Sequence, residues 1–313
     1  MDVPPFSALP LNPTHPPHSA WDVWGKEDQL GTLNHLTPQV VVQGKDEIRS
    51  GVRIGLNWPL NEMRTPPVFR KPLEHKINTI EGGLMHDDTL CFNTQTSSQW
   101  DGFRHCGYED GQFYGGVTAS EIQENKTDRI GVHAWCKQGI VGRGVLVDFA
   151  SYAASENLPF DALGRSEISL QTIKHILQRN GSVIRPGDIL VIRTGFLQAY
   201  TSATETRRQE LVSADPLQYP GVENAQDLAE WLWNSRIAAV CCDAPGFEAM
   251  PPRNFFLHPI LLAGFGMPIG ELFDLESLAE YCAASKRWTF FFTSEPLNVR
   301  GGVASPPNAL AIF

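Results

Sequence analysis

The sequence predicts an α/β protein with a mixed central β-sheet and covering helices, folded as one domain (residues 21–313) behind an N-terminal arm (residues 1–20). Three observations carry this. From residue 142 onward, apolar strand-like runs alternate with amphipathic helical runs, the pattern of parallel or mixed sheets with helices packed on them. Hydrophobic residues make up 42% and aromatics 10%, ample for a large buried core. No internal repeat or low-complexity linker cuts the 313 residues.

The arm, MDVPPFSALPLNPTHPPHS, is rich in proline and polar groups and is expected to lie on the surface or reach over a neighbour. Thr37 and Pro38 open a helix of about ten residues that closes on Gly51, by the preference for Thr at the N-cap and Pro in the first turn. VRIGLNWPL, residues 52–60, has strand composition. Residues 61–88 lack periodic signals and are expected to form a long loop, ending at Met85-His86-Asp87-Asp88. His86 is either within reach of a site or a solvated loop histidine.

Then come a buried strand (142–150), an amphipathic helix closed by glycine (169–181), a turn into a second apolar strand (185–196), the helix ENAQDLAEWLWNS and the strand RIAAVCCDAP. Ligands of such sheets gather at the carboxyl ends of strands, where Asp148, Thr194 and Asp243 fall. The last third adds an apolar helix begun by His258, the run MPIGELFDL, the helix LESLAEYCAAS, the strand RWTFFFTS and an apolar C-terminal strand expected to be buried.

A net charge of -10 and a pI near 5.4 argue against nucleic acid or an anionic membrane as partner. Six cysteines without a CxxC pair read as reduced thiols, and adjacent Cys241 and Cys242 cannot face one core. No basic segment followed by an apolar run opens the chain, so a cytoplasmic location is expected.

The chemistry is expected in CFNTQTSSQWDGFRHCGY, residues 91–108. If Thr94 to Trp100 is extended, Gln95, Gln99 and Asp101 share one face, since strand side chains alternate. Gly102 lets the backbone turn, and His105 arrives from that turn. Asp101 and His105 are the strongest catalytic pair, joined by His258 and Glu271. Glu271 interrupts an apolar run, and a carboxylate there is costly to bury without a partner or a metal. The plainer alternatives are a salt bridge for Glu271, a core role for His258 and a loop role for His105. Gln95, Gln99, Trp100, Phe103, Arg104 and Tyr108 are candidate substrate-binding residues, with Phe113 and with Trp21 or Trp24 from a second subunit's arm. Arg143 and Arg193 read as structural.

These segments resemble the cyclase family that contains bacterial kynurenine formamidases and isatin hydrolases, whose motif is His-x-Gly-Thr-His-x-Asp-x-Pro-x-His. Laid on residues 95–105, the motif meets Gln95, Ser97, Ser98, Gln99, Asp101, Phe103 and His105. GIVGRGVLVDFA, RPGDILVIRTGF, PGVENAQDLAEWL, IAAVCCDAP, LHPILLAGFGMPIGELFDLESLA and PLNVRGGVASPPNALAIF resemble its successive later blocks. The resemblance implies a swivelling β/β/α sheet and a hydrolase, cyclase or lactonase acting on an amide, ester or lactone carbonyl of a small aromatic or polyketide-like metabolite. It implies a candidate metal site at Asp101, His258 and Glu271, with His105 as acid/base and Zn or Mn as the ion. Glutamine stands where two metal-binding histidines belong, and a neutral amide oxygen is a poor donor to zinc, so a two-metal centre is not expected.

Two mechanisms follow. In one, a single divalent ion polarises the carbonyl while His105 moves the proton. In the other, no metal binds, His105 is the base and the amides of Gln95 and Gln99 steady an oxyanion. The loss of both histidines favours the second slightly. A different class of function is a catalytically silent member that binds a small molecule or partner. Retention of four costly polar groups speaks against it. A small-molecule substrate and a homodimer complete the expectations.

Overall fold

A computed structural model describes residues 3–67 and 70–313. Its strands in chain order are β1 (Arg53–Gly55), β2 (Glu74–Ile80), β3 (Met85–Cys91), β4 (Gln99–Asp101), β5 (Ile140–Asp148), β6 (Glu167–Ile168), β7 (Ile189–Arg193), β8 (Gly221–Val222), β9 (Ala239–Cys242), β10 (Ile269–Glu271), β11 (Thr289–Ser294), β12 (Ala304–Ser305) and β13 (Ala309–Ile312). Nine of them form one mixed sheet in the order β1-β13-β11-β5-β7-β9-β10-β4-β12. The four central strands, β5, β7, β9 and β10, run parallel, and antiparallel strands extend both sides. The alternating strands and helices of the sequence thus build the sheet centre.

Helix Leu170–Arg179 places Leu170, Ile173, Ile176 and Leu177 on one buried stripe behind a Ser169 cap, as its 3.6-residue period requires. Helices Gln226–Asn234 and Glu276–Ser285 likewise bury Leu228, Leu232 and Trp233, and Leu278 and Cys282. β9 is covered on both faces, so Cys241 and Cys242 point opposite ways and both are buried. All six thiols are free. Among the described residues no helix is long and apolar enough to cross a membrane.

Thr37 accepts the Val40 amide as expected, but the helix is Pro38–Gly44, continued by a 3-10 turn over Lys45–Glu47. The larger departure lies in residues 61–88. β2 and β3 form an antiparallel hairpin in full register, exposed on both faces, with His86 against Thr79 Oγ1 at 3.3 Å. With neither face buried, it left no apolar alternation to read. His86 lies on this exposed hairpin and takes no part in the candidate site.

The described part of the N-terminal segment packs on its own chain. Phe6 is buried, its amide donates to Asn234 Oδ1 at 2.9 Å, and Trp233 Nε1 donates to the Pro4 carbonyl. Trp21 donates to the Ala263 carbonyl at 2.7 Å.

Candidate active site

The site is built on the pairing of β4 with β10. The antiparallel register sets Gln99 opposite Glu271 and Asp101 opposite Ile269, so strand alternation puts the three polar side chains on one face. Gln99 Nε2 donates to Glu271 Oε2 at 2.7 Å. Trp100 points to the other face, where it packs edge-on against Phe273 and Phe292 and donates to Ser294 Oγ. Gly270 lies opposite it, where a Cβ would stand 2.4 Å from that of Cys241 and 3.0 Å from the Trp100 ring. Gly102 serves by the same absence, since its Cβ would meet the Val303 carbonyl oxygen at 2.6 Å.

The extended reading of 94–100 holds only for its end. Residues 95–98 form a turn and bends, with Thr96 N bonded to Asn93 O, and β4 spans Gln99–Asp101. Gln95 still reaches the site from that turn. Its Nε2 donates to Asp101 Oδ1 at 2.7 Å and lies 3.2 Å from His105 Nδ1. His105 is carried by a turn closed from its amide to Gly102 O. His258 lies in the short helix Leu257–Pro259, which runs into a π-helical turn over Ile260–Phe265, a distortion frequent at functional sites.

Three donors converge. Asp101 Oδ2 lies 3.6 Å from His105 Nε2 and 3.7 Å from His258 Nε2, and ligand atoms of the three residues fall within 4.8 Å of one another. Oδ2 is buried and has no hydrogen-bond partner. On the far side of His258, Nδ1 meets Glu248 Oε1 at 3.1 Å. Glu248 therefore orients the imidazole and leaves Nε2 facing Asp101. Of the trio expected from the resemblance, Asp101 and His258 fall together with His105 in a group that could hold a metal ion, while Glu271 stands outside it with one oxygen accepting from the Gln99 amide across the strand pair.

The charges follow from these contacts. Burial opposes ionisation of Asp101, but His105 and His258 hold its carboxyl below the usual range. Burial pushes His105 down, against the pull of Asp101. Burial also opposes charge on His258, yet Glu248 and Asp101 hold it well above the ordinary imidazole value. Burial and the Asp101 charge push Glu271 well above the carboxylate range.

His105, Glu248, His258 and Glu271 line a cleft of about 200 Å³ with Arg70, Tyr219, Cys106, Met250 and Phe256, and Asp101 lies buried behind the two histidines. Arg70, Tyr219 and Glu248 were missed in the sequence. Glu248 carried the same signal as Glu271, a carboxylate in the apolar run GFEAM; Arg70 and Tyr219 lie in loops with none. Four expected pocket residues are placed elsewhere. Trp100 and Phe103 are core, the latter against Tyr114 and Trp135. Arg104 donates to Thr127 O at 2.8 Å and also to Gly301 O, and Tyr108 donates to Pro17 O. Both terminal nitrogens of Arg104 and the Tyr108 hydroxyl are thus taken by backbone carbonyls. Trp21 is spent on its own chain in the same way.

The strand-end carboxylates are also structural. Asp148 pairs with Arg193 and caps helix Phe149–Ser155, and Asp243 accepts from Thr194 N, Thr194 Oγ1 and Gly195 N. It is instead the loop after β9, with Glu248, and the end of β10, with Glu271, that bring carboxylates to the site.

The model of the family described as "Putative cyclase" matches residues 14–249, a segment that holds Asp101, His105 and Glu248 and ends before His258 and Glu271. A solved structure described as a novel cyclase superposes with a TM-score of 0.84 at 28% identity, over 94% of this chain and 99% of the other. Isatin hydrolase A from Labrenzia aggregata gives a TM-score of 0.60 at 15% identity, over 90% of this chain and 98% of that one. The same enzyme from Ralstonia solanacearum gives 0.61 at 14%, over 88% and 98%. At that identity the likeness speaks for the fold. No curated protein is matched by the sequence. With three quarters of its length matched by one family, the chain belongs to the cyclase family.

Proposed function

We propose that this protein hydrolyses, or closes a ring through, an amide, ester or lactone carbonyl of a small metabolite, at the cleft where His105 and His258 converge on Asp101. Family membership makes it an enzyme of the hydrolase or cyclase type. The observation that carries the finer reading is the buried, unpartnered Asp101 Oδ2 facing two imidazoles. Two histidines and a carboxylate are the donor set of open, catalytic divalent sites, and Glu248 on His258 is the carboxylate that commonly orients such a ligand. Asp101, His105 and His258 would hold the cation. Bound there, it supplies Lewis-acid charge to the carbonyl.

The remaining work falls to side chains. Gln95 holds Asp101 Oδ1, so that Oδ2 stays turned to the histidines. Gln99 saturates one oxygen of Glu271, and with both glutamine amides donating to carboxylates no second cation is accommodated. Glu271, whose protonated form is favoured by burial and by the Asp101 charge, lines the cleft where that form offers a hydrogen bond to the leaving group. Met250 and Phe256 give the cleft its apolar wall.

A second reading has its own observation. His105 is the least enclosed of the three, with 26% of its side chain exposed, and burial keeps it neutral beside Asp101. In a cation-free enzyme it is the general acid/base, with Asp101 as its orienting carboxylate. The two roles exclude each other, since a lone pair given to a cation is not available to a proton.

Turnover of a panel of aryl amides, esters and lactones by the wild type, Asp101→Asn and His105→Ala tests the proposal. Both variants should lose about 100-fold or more in kcat/KM. Unchanged turnover in His105→Ala excludes both roles for that residue.

A further inference from the structure

The cleft contains a cation that the chemistry above does not use. Arg70 lines the same wall as His105, Glu248, His258 and Glu271. One Nη1 hydrogen is donated to the Gln95 carbonyl at 2.9 Å, which fixes the guanidinium on the turn that carries the Gln95 side chain into the site. Three carboxyl groups lie nearby, and each makes its contact elsewhere: Asp101 Oδ1 accepts from Gln95, Glu248 meets His258, and Glu271 Oε2 accepts from Gln99, while the Arg70 charge acts on Asp101 and Glu271 without touching them. Among the described residues none of them forms an ion pair with Arg70, and the rest of its N–H fork has no protein acceptor. A guanidinium is charged at every accessible pH, and its planar fork matches a carboxylate in two-point geometry. A guanidinium at the wall of a half-enclosed cleft, in contact with no carboxylate and with most of its fork open, is a recognition group for an anion. Met250 and Phe256 beside it favour an apolar or aromatic body on that anion.

We propose that Arg70 anchors a carboxylate of the molecule held in this cleft, so that the ligands of the site are aromatic or apolar carboxylates. The inference deepens the functional reading above and rests on the cleft being the substrate site. The carboxylate has two possible sources: carried by the substrate apart from the reacting carbonyl, or formed from an ester, amide or lactone carbonyl on hydrolysis.

The test is a binding measurement, so it stands whether or not a turned-over substrate is known. Benzoate and its neutral isostere benzamide are titrated calorimetrically into the full chain as purified and again after EDTA treatment, which removes any cation that competes for the carboxylate. The wild type should bind benzoate about tenfold or more tightly than benzamide, by the strength of a charge-assisted hydrogen bond. Arg70→Gln should abolish that preference and leave benzamide unchanged, and Arg70→Lys should restore part of it. A wild type that does not distinguish the two ligands, or an Arg70→Gln variant that keeps the preference, overturns the proposal. If Arg70→Gln fails to fold, Arg70→Lys decides alone: an undiminished benzoate preference over benzamide in the EDTA-treated protein overturns two-point recognition.

Esters with and without a free carboxylate then assign the source. A KM raised in Arg70→Gln only for the anionic esters places the carboxylate on the substrate. An unchanged KM with lost product inhibition places it on the product. Failure of the whole panel of amides, esters and lactones to turn over, with benzoate recognition intact, would refute the hydrolase reading and leave Arg70 as an anion anchor.

Discussion

Glu248→Gln probes how the site is held together. Glu248 is 1% exposed and its carboxylate sits 3.1 Å from His258 Nδ1. The substitution keeps the volume and, through the amide oxygen, an acceptor for Nδ1–H. It removes the charge. A hydrogen bond to an ionised group is worth about 1.5–3 kcal/mol and a neutral one about 0.5–1.5, so the loss is about 1–1.5 kcal/mol of hold on the imidazole. That corresponds to roughly tenfold in the affinity of anything His258 Nε2 binds, within the 10- to 100-fold typical of such outer carboxylates. The assay is competition for Zn²⁺ between the stripped protein and a chelating dye, with thermal melting to confirm the fold. An affinity within about twofold of wild type would show that Glu248 does not orient a ligand, and the Asp-His-His assignment would lose its support.

Three further outcomes are expected. Trp100→Ala should cost about 3–5 kcal/mol of stability by urea denaturation, the range for emptying a fully buried aromatic site, while Trp100→Phe should leave benzamide binding unchanged; a lost ligand in the latter would return Trp100 to the pocket. Burial pushes Asp243 up to about 6 against an ordinary 3.8. The folded chain then holds one more proton than the unfolded chain between those values, so this group removes about 3 kcal/mol of stability as pH rises from 4 to 7, and Asp243→Asn should flatten that part of the urea-midpoint profile. Light scattering should give a homodimer at twice the 34.7 kDa chain mass; a monomer mass in dilute solution contradicts this.

Much of the fold was legible because the central strands are buried on both faces and their helices on one. Apolar runs and 3.6-residue stripes are therefore strong from residue 140 onward. The hairpin of β2 and β3 buries neither face, so its sequence reads as loop. Asp101, His105 and His258 were legible as costly polar groups near glycine or apolar sequence, and Glu271 likewise. Which of them converge was not, because the β4–β10 register decides it, and a three-residue strand carries too little pattern to fix a register. Trp100 is placed by the same sheet: alternation puts it opposite Gln99 and Asp101, and only the sheet shows that the opposite face is core, while Phe103, in the turn after β4, packs on Tyr114 and Trp135. Arg70 depends on a loop turning back to the Gln95 carbonyl, a contact across 25 positions that no local spacing reveals.

The central claim is that Asp101, His105 and His258 form one cation site and that the glutamine amides leave no room for a second. Elemental analysis of the full chain purified without added metal, and again after equilibration with Zn²⁺ or Mn²⁺ and removal of the excess, tests it directly, with Asp101→Asn as the control. The account predicts about one ion per chain in the wild type and a loss of that ion in Asp101→Asn. Two ions per chain, or none after equilibration, would contradict it.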